Sequence, residues 1–224
     1  MKKLDLRHSL GLLLVFFSLI VKSQSKFTVV LDPGHGGKDS VTRANGYLEK
    51  DVVLNIALEL KTQLEQKGNR VLLTRNEDTF VPLSERSELK GDVFISLHAN
   101  SVPDSIGPSV RSMIKGIEIY TDNRMSDKKR LSKSTLLASA IYDNMLSLTD
   151  ISVRFRVKNK PLAVLKSNFS PAVLVELGYL TNLEDLGYLT TTSCYKEMAA
   201  AFCKAIDAYK LQRTNWEDSK KCQW

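Results

Sequence analysis

Two histidines in this sequence have the type and setting of metal ligands. The chain contains three histidines, and two of them, His35 and His98, lie in short polar segments, DPGHGGKD and SLHANS, that follow or end an apolar run. His8 belongs to a different kind of segment at the N-terminus. Two histidines with one carboxylate suit a catalytic zinc ion, since such a set leaves a fourth position for water. The pattern therefore predicts a hydrolytic zinc site, although either histidine alone would fit a packed or surface position.

Four acidic residues near the first histidine are candidates for the third ligand. Glu49 is favoured because it should begin the helix that follows the His35 loop, where it can point back over the edge of a sheet. Spacing alone favours it only modestly over Asp32, Asp39 and Asp51, so these three remain alternatives.

Glu176 is a further acidic candidate, at the end of the apolar run AVLV. Burial of an unpaired carboxylate is costly, so this glutamate should either form a buried salt bridge or face a metal ion. A carboxylate beside a hydrolytic metal ion can take a proton from water and deliver it to a leaving amine. From the residues alone, a buried salt bridge and a catalytic place beside a metal ion both remain open for Glu176.

Apolar, β-branched runs that alternate with helical segments must position these residues. The runs predict strands at residues 27–32, 70–74, 92–98, 116–121, 162–166 and 172–176. Helical periodicity predicts helices at residues 49–67, 83–90, 131–146 and 193–211. Near-continuous apolar strands between helices are typical of an α/β fold with helices on both faces of the sheet. Ligands bind beyond the carboxyl ends of the strands in such sheets, and His35, His98 and Glu176 fall at three of these ends.

The N-terminal segment predicts export from the cytoplasm. Lys2, Lys3 and Arg7 precede an apolar run at residues 10–21, an order that is typical of a secretory signal peptide. The run is shorter than the ~20 residues of a comfortable membrane span, although an uncleaved anchor is the alternative. We predict a signal peptide at residues 1–23, no stable membrane span after its cleavage, and a secreted or periplasmic protein.

The rest of the chain has the size and composition of one domain. Of 224 residues, 43 % are hydrophobic and 25 % are charged, as in an ordinary globular protein. We predict a catalytic domain at residues 24–212 and a polar tail at residues 213–224, either disordered or docked through Trp216. The net charge of +7 falls to +4 when the four basic residues and one acidic residue of the signal segment are removed. Without a long basic block, a nucleic-acid partner is poorly supported.

The three cysteines, Cys194, Cys203 and Cys222, form no CxxC pair, so a zinc–thiolate site is not expected. Cys194 and Cys203 should lie on different turns of one helix and should not bridge each other. In an exported protein, one disulfide that involves Cys222 is compatible with the sequence.

Four separated motifs, in order, resemble those of a known enzyme family. The segments are VVLDPGHGGKD, LEKDVVLNIALEL, DVFISLHANS and PAVLVELGYLTNLED. They are similar to the motifs of the zinc-dependent N-acetylmuramoyl-L-alanine amidases of bacterial cell walls, and the resemblance spans roughly residues 27–211. Any one motif alone would be weak, but four in the right order form a specific signal.

The resemblance implies a fold, a reaction and a role for each site residue. The implied fold is a mixed, mostly parallel sheet of about six strands, similar to that of zinc carboxypeptidases. His35, Glu49 and His98 would bind one Zn²⁺, and Glu176 would be the catalytic acid/base. The implied substrate is peptidoglycan or a muropeptide, cut between the lactyl group of N-acetylmuramic acid and L-alanine.

The sequence departs from the family in the loop at residues 40–44, which puts the rim of the site in doubt but not its ligands. Some relatives carry an inserted helix that blocks the metal until a protein activator removes it. Here residues 101–115 are short and contain Pro103, Gly107 and Pro108, which predicts a loop. A protein activator stays compatible with the sequence.

Two other functions compete with the amidase interpretation. A zinc carboxypeptidase would need an arginine for the terminal carboxylate of its substrate, and no segment indicates one. A non-catalytic wall-binding module would be expected to lack a ligand or the catalytic glutamate. Asn100 is a secondary candidate for a contact with substrate, whereas Arg75 and Arg86 receive no role, since Arg86 fits a structural ion pair equally well.

Overall fold

A six-stranded sheet forms the centre of the protein. The computed structural model describes residues 25–40, 43–124, 126–148 and 157–221. The strands of the large sheet are β1 (Thr28–Pro33), β4 (Arg70–Leu73), β5 (Val93–Asn100), β6 (Glu118–Thr121), β7 (Val157–Asn159) and β8 (Ala172–Tyr179). Their order is β4-β1-β5-β8-β6-β7, and the β6–β8 pair is antiparallel while the others are parallel. A separate hairpin is formed by β2 (Arg43–Ala44) and β3 (Tyr47–Leu48).

Helices cover both faces of this sheet. They are α1 (Glu49–Gln66), α2 (Leu83–Glu88), α3 (Pro108–Arg111), α4 (Lys128–Met145), α5 (Ala163–Lys166), α6 (Leu183–Leu189) and α7 (Thr192–Lys221). The three long helices, α1, α4 and α7, enclose the larger core with one face of the sheet. The short helices α2 and α5 lie together on the opposite face, where a smaller core includes Val30, Phe94, Leu165 and Leu174. The predicted three-layer, mostly parallel fold is confirmed.

Strand alternation decides which side chains face the candidate site. Successive side chains of a strand point to opposite faces, so Ile95 and Leu97 of β5 enter the larger core. Phe94 enters the smaller core, and Ser96 and His98 share its face. The smaller helices leave part of this face uncovered near the carboxyl ends of β5 and β8, because α2 and α5 are only six and four residues long.

The strand predicted at residues 162–166 is wrong. Ala163–Lys166 is a single helical turn, and the edge strand of the sheet is Val157–Asn159 instead. A short apolar run does not distinguish a strand from a buried helical turn by periodicity alone. Here Val164 and Leu165 are buried against the sheet as part of that turn.

Two predicted helices are longer than expected. The α4 helix begins before residue 131 because the Asp127 carboxylate accepts a hydrogen bond from the backbone N–H of Arg130 at 3.0 Å, which caps the helix. The α7 helix continues past residue 211 to Lys221. Trp216 and Glu217 of this extension contact Lys133 of α4, whose Nζ lies 5.8 Å from the centre of the Trp216 ring and 2.6 Å from the Glu217 carboxylate. The part of the tail that is described is therefore helical and contacts α4.

Cys194 and Cys203 lie on the same helix, both buried and both free, so the prediction that they do not bridge each other is confirmed. Cys222 and the predicted signal peptide at residues 1–23 lie outside the described residues. Among the helices that are described, none is long and apolar enough to cross a membrane.

Candidate metal and catalytic site

Three side chains from separate elements meet at the carboxyl edge of the sheet. His35 follows β1, Glu49 is the first residue of α1, and His98 lies near the end of β5. One ligand atom from each of the three lies within 4.8 Å of the others. The two imidazole rings meet edge to face, with centroids 5.0 Å apart. The parallel β1–β5 pairing brings the two strand ends to the same edge, and so the sequence-distant histidines become neighbours.

Glu49 connects the two histidines through its two carboxylate oxygens. Oε2 lies 3.1 Å from His35 Nε2, and Oε1 lies 2.8 Å from His98 Nδ1. The backbone N–H of Ala99 also donates to Oε1 at 3.0 Å. Two imidazoles and one carboxylate that already converge on a common point are a donor set that fits a zinc ion. The residues present therefore fit the metal that the sequence predicts.

The three alternative acidic ligands have different surroundings. Asp32 is buried and paired with Arg86 at 2.8 Å, so its carboxylate is engaged away from the histidines. Asp51 is exposed on α1. Asp39 approaches the other side of the first ring, 3.0 Å from His35 Nδ1, where it can orient that imidazole. Glu49 alone among the four contacts both histidines in the described part of the chain.

The electrostatics of the trio keep the carboxylate ionised. Burial would raise the pKa of Glu49, but hydrogen bonds with His35 and His98 outweigh it and hold the pKa well below its usual range. The hydrogen bond with Glu49 is also the main reason that the pKa of His35 is raised to about 9. Burial opposes protonation of His98, yet contact with Glu49 raises the pKa of this histidine as well. An ionised, buried carboxylate is the form that a divalent cation needs as a ligand.

Two buried arginines hold the loop that carries His35. Arg75 donates to the carbonyl oxygens of Pro33, Gly34 and Lys50 at 2.9, 2.8 and 2.7 Å. Arg86 donates to the carbonyl oxygens of Pro33 and His35 at 2.8 and 2.5 Å. These contacts matter because His35 has a φ of 58°, a left-handed conformation that costs energy for a residue with a side chain. The arginines therefore stabilise a strained backbone at the site.

Asp32 is the counter-charge that lets Arg86 be buried. Its Oδ1 accepts from Arg86 at 2.8 Å and from Thr74 at 2.6 Å, and its Oδ2 accepts from Ser96 at 2.7 Å. The full set of partners meets the requirement that a buried ion pair be hydrogen-bonded on all sides. Arg75 and Arg86, to which the sequence assigned no role, are thus structural supports of the His35 loop.

Glu176 lies beside His98 on the same face of the sheet. The β5–β8 register pairs His98 with Glu176, and the β6–β8 register pairs Glu176 with Glu118, so the three side chains form a row across the sheet. Burial raises the pKa of Glu176 to about 7. Its Oε2 atom is buried and has no hydrogen-bond partner among the described residues. A carboxyl group in this state can exchange a proton near neutral pH.

Glu118 is a neighbour of the site that the sequence analysis missed. Its carboxylate accepts a hydrogen bond from the Tyr120 hydroxyl, and it also interacts with the Tyr179 hydroxyl. The signal was present in the alternation of GIEIYT, where Glu118 and Tyr120 face one side and Ile117 and Ile119 the other. Asn100, by contrast, uses its side chain to accept from the backbone N–H of Ser101 at 2.9 Å.

The predicted loop at residues 101–115 is irregular except for the single turn of α3. It contacts the segment after β8, since the Asn182 side chain donates to the Ser112 carbonyl at 2.7 Å and Val102 N–H donates to the Thr181 hydroxyl at 3.2 Å. The hairpin before α1 is tied to the same region through Asn45, which donates to the Leu180 carbonyl at 3.0 Å.

Comparisons with known proteins agree with this fold. The model of the N-acetylmuramoyl-L-alanine amidase family matches residues 29–208. The N-acetylmuramoyl-L-alanine amidase AmiA of Escherichia coli is 33 % identical in an alignment that covers 89 % of this chain and 80 % of AmiA. LytC of Bacillus subtilis, another such amidase, is 36 % identical over 178 residues, which cover 77 % of this chain but 33 % of LytC.

Solved structures of amidases have the same architecture. The crystal structure of an N-acetylmuramoyl-L-alanine amidase from Clostridium difficile 630 superposes with a TM-score of 0.73 at 28 % identity, over 83 % of this chain and 97 % of that one. The amidase AmiC2 of Nostoc punctiforme has a TM-score of 0.69 at 34 % identity, over 84 % and 99 % of the two chains. The match covers the segments that carry all four candidate site residues, and the chain belongs to the N-acetylmuramoyl-L-alanine amidase family.

Proposed function

We propose that this protein is a zinc-dependent N-acetylmuramoyl-L-alanine amidase of the bacterial cell wall. It would hydrolyse the amide between the lactyl group of N-acetylmuramic acid and the L-alanine of peptidoglycan stem peptides, in wall remodelling or daughter-cell separation. Membership of the amidase family and the names of the relatives support the reaction. The convergence of two imidazoles and a carboxylate supports the metal requirement.

His35, Glu49 and His98 are the proposed ligands of one Zn²⁺. A zinc ion bound there would supply Lewis-acid chemistry, by lowering the pKa of a water molecule and polarising a carbonyl group. The protein's own contribution is to hold both imidazoles against one carboxylate. Asp39, at His35 Nδ1, would keep the first ring in the orientation that this requires.

The observation that carries the proposal is the pairing of His98 with Glu176 across two neighbouring strands. It sets a proton-exchanging carboxyl group next to the proposed ligands. In the reaction, the oxygen of a water molecule bonds to the amide carbon and the carbon–nitrogen bond breaks. Glu176 accepts a proton from that water and delivers it to the departing nitrogen. Without this proton the amine would be a poor leaving group.

The proposed substrate lies outside the cytoplasm, which agrees with the predicted signal peptide at residues 1–23 and with secreted or periplasmic location. LytH of Staphylococcus saprophyticus, which is 34 % identical and is named as a probable cell wall amidase, supports this assignment. A protein activator remains compatible with the proposal. The CwlD amidase of Clostridioides difficile, which is 26 % identical, has been solved in complex with the GerS lipoprotein.

Purified peptidoglycan is the substrate for the deciding experiment. The mature protein is incubated with it in the presence and absence of a chelator, and the new ends are identified by mass spectrometry. We expect free stem peptides with an L-alanine amino terminus, lost on chelation and restored by added zinc. New reducing sugars or shortened peptides would contradict the proposed bond, and activity that persists after chelation would contradict the metal requirement.

A further inference from the structure

An apolar pocket borders the candidate metal site on the side of β1 and α2. We propose that this pocket binds the sugar ring of the muramoyl group, and that the departing stem peptide extends in the opposite direction, across β8 toward Glu118 and Lys160. The inference rests on the proposed amidase function and adds to it a direction for the substrate.

The pocket is contiguous with the two histidines. Its volume is about 370 Å³, and it lies between the end of β1, the segment before α2, and α5. Its apolar wall is formed by Phe80, Val81, Leu83 and Val164. The rings of His35 and His98 also line it. Phe80 is 43 % exposed and Leu83 is 59 % exposed, so both present apolar surface to solvent. Lys38 lies over the Phe80 ring, 4.7 Å from its centre.

The charged groups at the base of this pocket are already engaged. Asp32 and Arg86 line it but are ion-paired with each other at 2.8 Å and nearly completely buried. They are therefore poor partners for a charged ligand. Asp39 also lines the pocket, but its carboxylate lies at the His35 edge, 3.0 Å from His35 Nδ1. The wall that remains is an aromatic ring with aliphatic neighbours. Such surfaces accept ligands that have extended C–H faces and few charges.

The surface on the other side of His98 is polar. The row of paired residues continues from Glu176 on β8 to Glu118 on β6, which the Tyr120 hydroxyl hydrogen-bonds. Lys160 lies over the Tyr120 ring at 5.4 Å from its centre and interacts electrostatically with Glu176. Beyond Glu176, on the side away from the pocket, the surface therefore carries charges of both signs.

The position of Glu176 sets the direction of the substrate. The group that protonates the leaving nitrogen must lie within hydrogen-bond reach of it, so the nitrogen must lie on the β8 side of His98. The acyl half of the substrate then extends from the same carbon toward β1, where the pocket lies.

The chemistry of the two halves agrees with this direction. A muramoyl group is uncharged and has a pyranose ring, an acetyl methyl and a lactyl methyl that can pack on Phe80 and Leu83. A stem peptide has a new ammonium group and carboxylates, which suit the polar row. The reverse direction would bring ionised carboxylates against the apolar wall and toward the Asp39 carboxylate, with Lys38 over the Phe80 ring as the nearby cation. They would lose solvation and meet a like charge.

Binding measurements on a protein that does not turn over substrate test the inference. The Glu176→Gln protein, loaded with zinc, is titrated with two probes by calorimetry. One is the disaccharide of N-acetylglucosamine and N-acetylmuramic acid with its lactyl carboxyl blocked as a methylamide. The other is the free stem tripeptide that begins with L-alanine.

Adding Phe80→Ala to the Glu176→Gln protein should weaken binding of the disaccharide about tenfold, because an aromatic contact with the sugar is lost. Binding of the tripeptide should change less than twofold. Leu83→Ala should have the same selectivity. Glu118→Gln should weaken the tripeptide and spare the disaccharide. Phe169→Ala is the matched control, because Phe169 is also exposed and also lies under a lysine, Lys90 at 4.8 Å, but lines a different pocket.

Selective loss of tripeptide binding in Phe80→Ala, or equal binding of the disaccharide in Phe80→Ala and Phe169→Ala, would overturn the inference. In either case the unmodified protein should still release stem peptides from peptidoglycan, so the proposed function would stand. If the unmodified protein releases none, the function and the direction of the substrate both fail.

Discussion

Gly34 lies directly against the imidazole ring of His98. A Cβ atom at position 34 would lie 2.4 Å from His98 Cε1 and 2.5 Å from Nε2. Carbon atoms in favourable contact are about 3.5–4.0 Å apart, so even a methyl group would displace the ring. The backbone N–H of Gly34 also donates to the Leu97 carbonyl at 2.9 Å, which fixes the distance between the two segments.

The first prediction follows from this contact. Gly34→Ala should leave the protein folded but weaken zinc binding about 10- to 100-fold, the range for changes that disturb the orientation of a metal ligand. Competition with a chromophoric chelator measures the affinity. Gly107→Ala is the control, since a Cβ at that position meets no atom within 4 Å. Equal affinities in the two variants would contradict the proposed role of His98 as a ligand.

The second prediction separates Glu49 from the acidic residue two positions later. Glu49→Gln should lose zinc on dialysis because the amide has no charge to balance the cation, whereas Asp51→Asn should keep a full complement. Asp51 is exposed on the same helix and so controls for the general loss of a carboxylate in the first turn of α1. Metal analysis of the dialysed proteins reads the result, and the opposite pattern would assign the ligand to Asp51.

The third prediction concerns the catalytic carboxyl group. Glu176→Gln should retain zinc and lose turnover on muropeptide by about 10²- to 10⁴-fold, the usual contribution of general acid/base catalysis. Glu65→Gln removes an acidic group whose partner is the surface residue Lys61, and it should behave as the unmodified protein. Near-normal turnover of Glu176→Gln would remove that residue from the mechanism.

The fourth prediction concerns stability. Arg86→Leu should lower the free energy of unfolding by about 3–5 kcal/mol, because it leaves the Asp32 carboxylate buried without its positive partner. Lys67→Leu breaks a half-exposed pair with Asp207 and should cost about 0–1 kcal/mol. Urea unfolding curves give both values. A small effect of Arg86→Leu would mean that Thr74 and Ser96 alone satisfy Asp32.

The elements that carry the site were predictable because their signals are local. Apolar β-branched runs located β1, β5 and β8, and the rule that ligands lie beyond carboxyl ends of strands selected His35, His98 and Glu176. The support for the His35 loop was not predictable. Arg75 reaches its carbonyl partners only after β4 pairs with β1, and no spacing in the sequence encodes that contact.

The wrong prediction of a strand at residues 162–166 also has its cause in tertiary structure. The run LAVLK has enough apolar residues for a strand, and only its tertiary position shows that Val164 and Leu165 pack onto a sheet face as a helical turn. That turn closes one side of the apolar pocket beside His98. An error in one short element therefore concealed part of the surface that binds substrate in our proposal.

His98 and Glu176 stand opposite each other on β5 and β8, the two middle strands of the sheet. Central strands open only when a protein unfolds globally, and their amide hydrogens exchange most slowly. The distance between the proposed ligand and the catalytic carboxyl group should therefore be insensitive to fluctuations at the periphery. Heating should abolish activity and the protection of the β5 amides over the same temperature interval, without a preceding inactive but folded state.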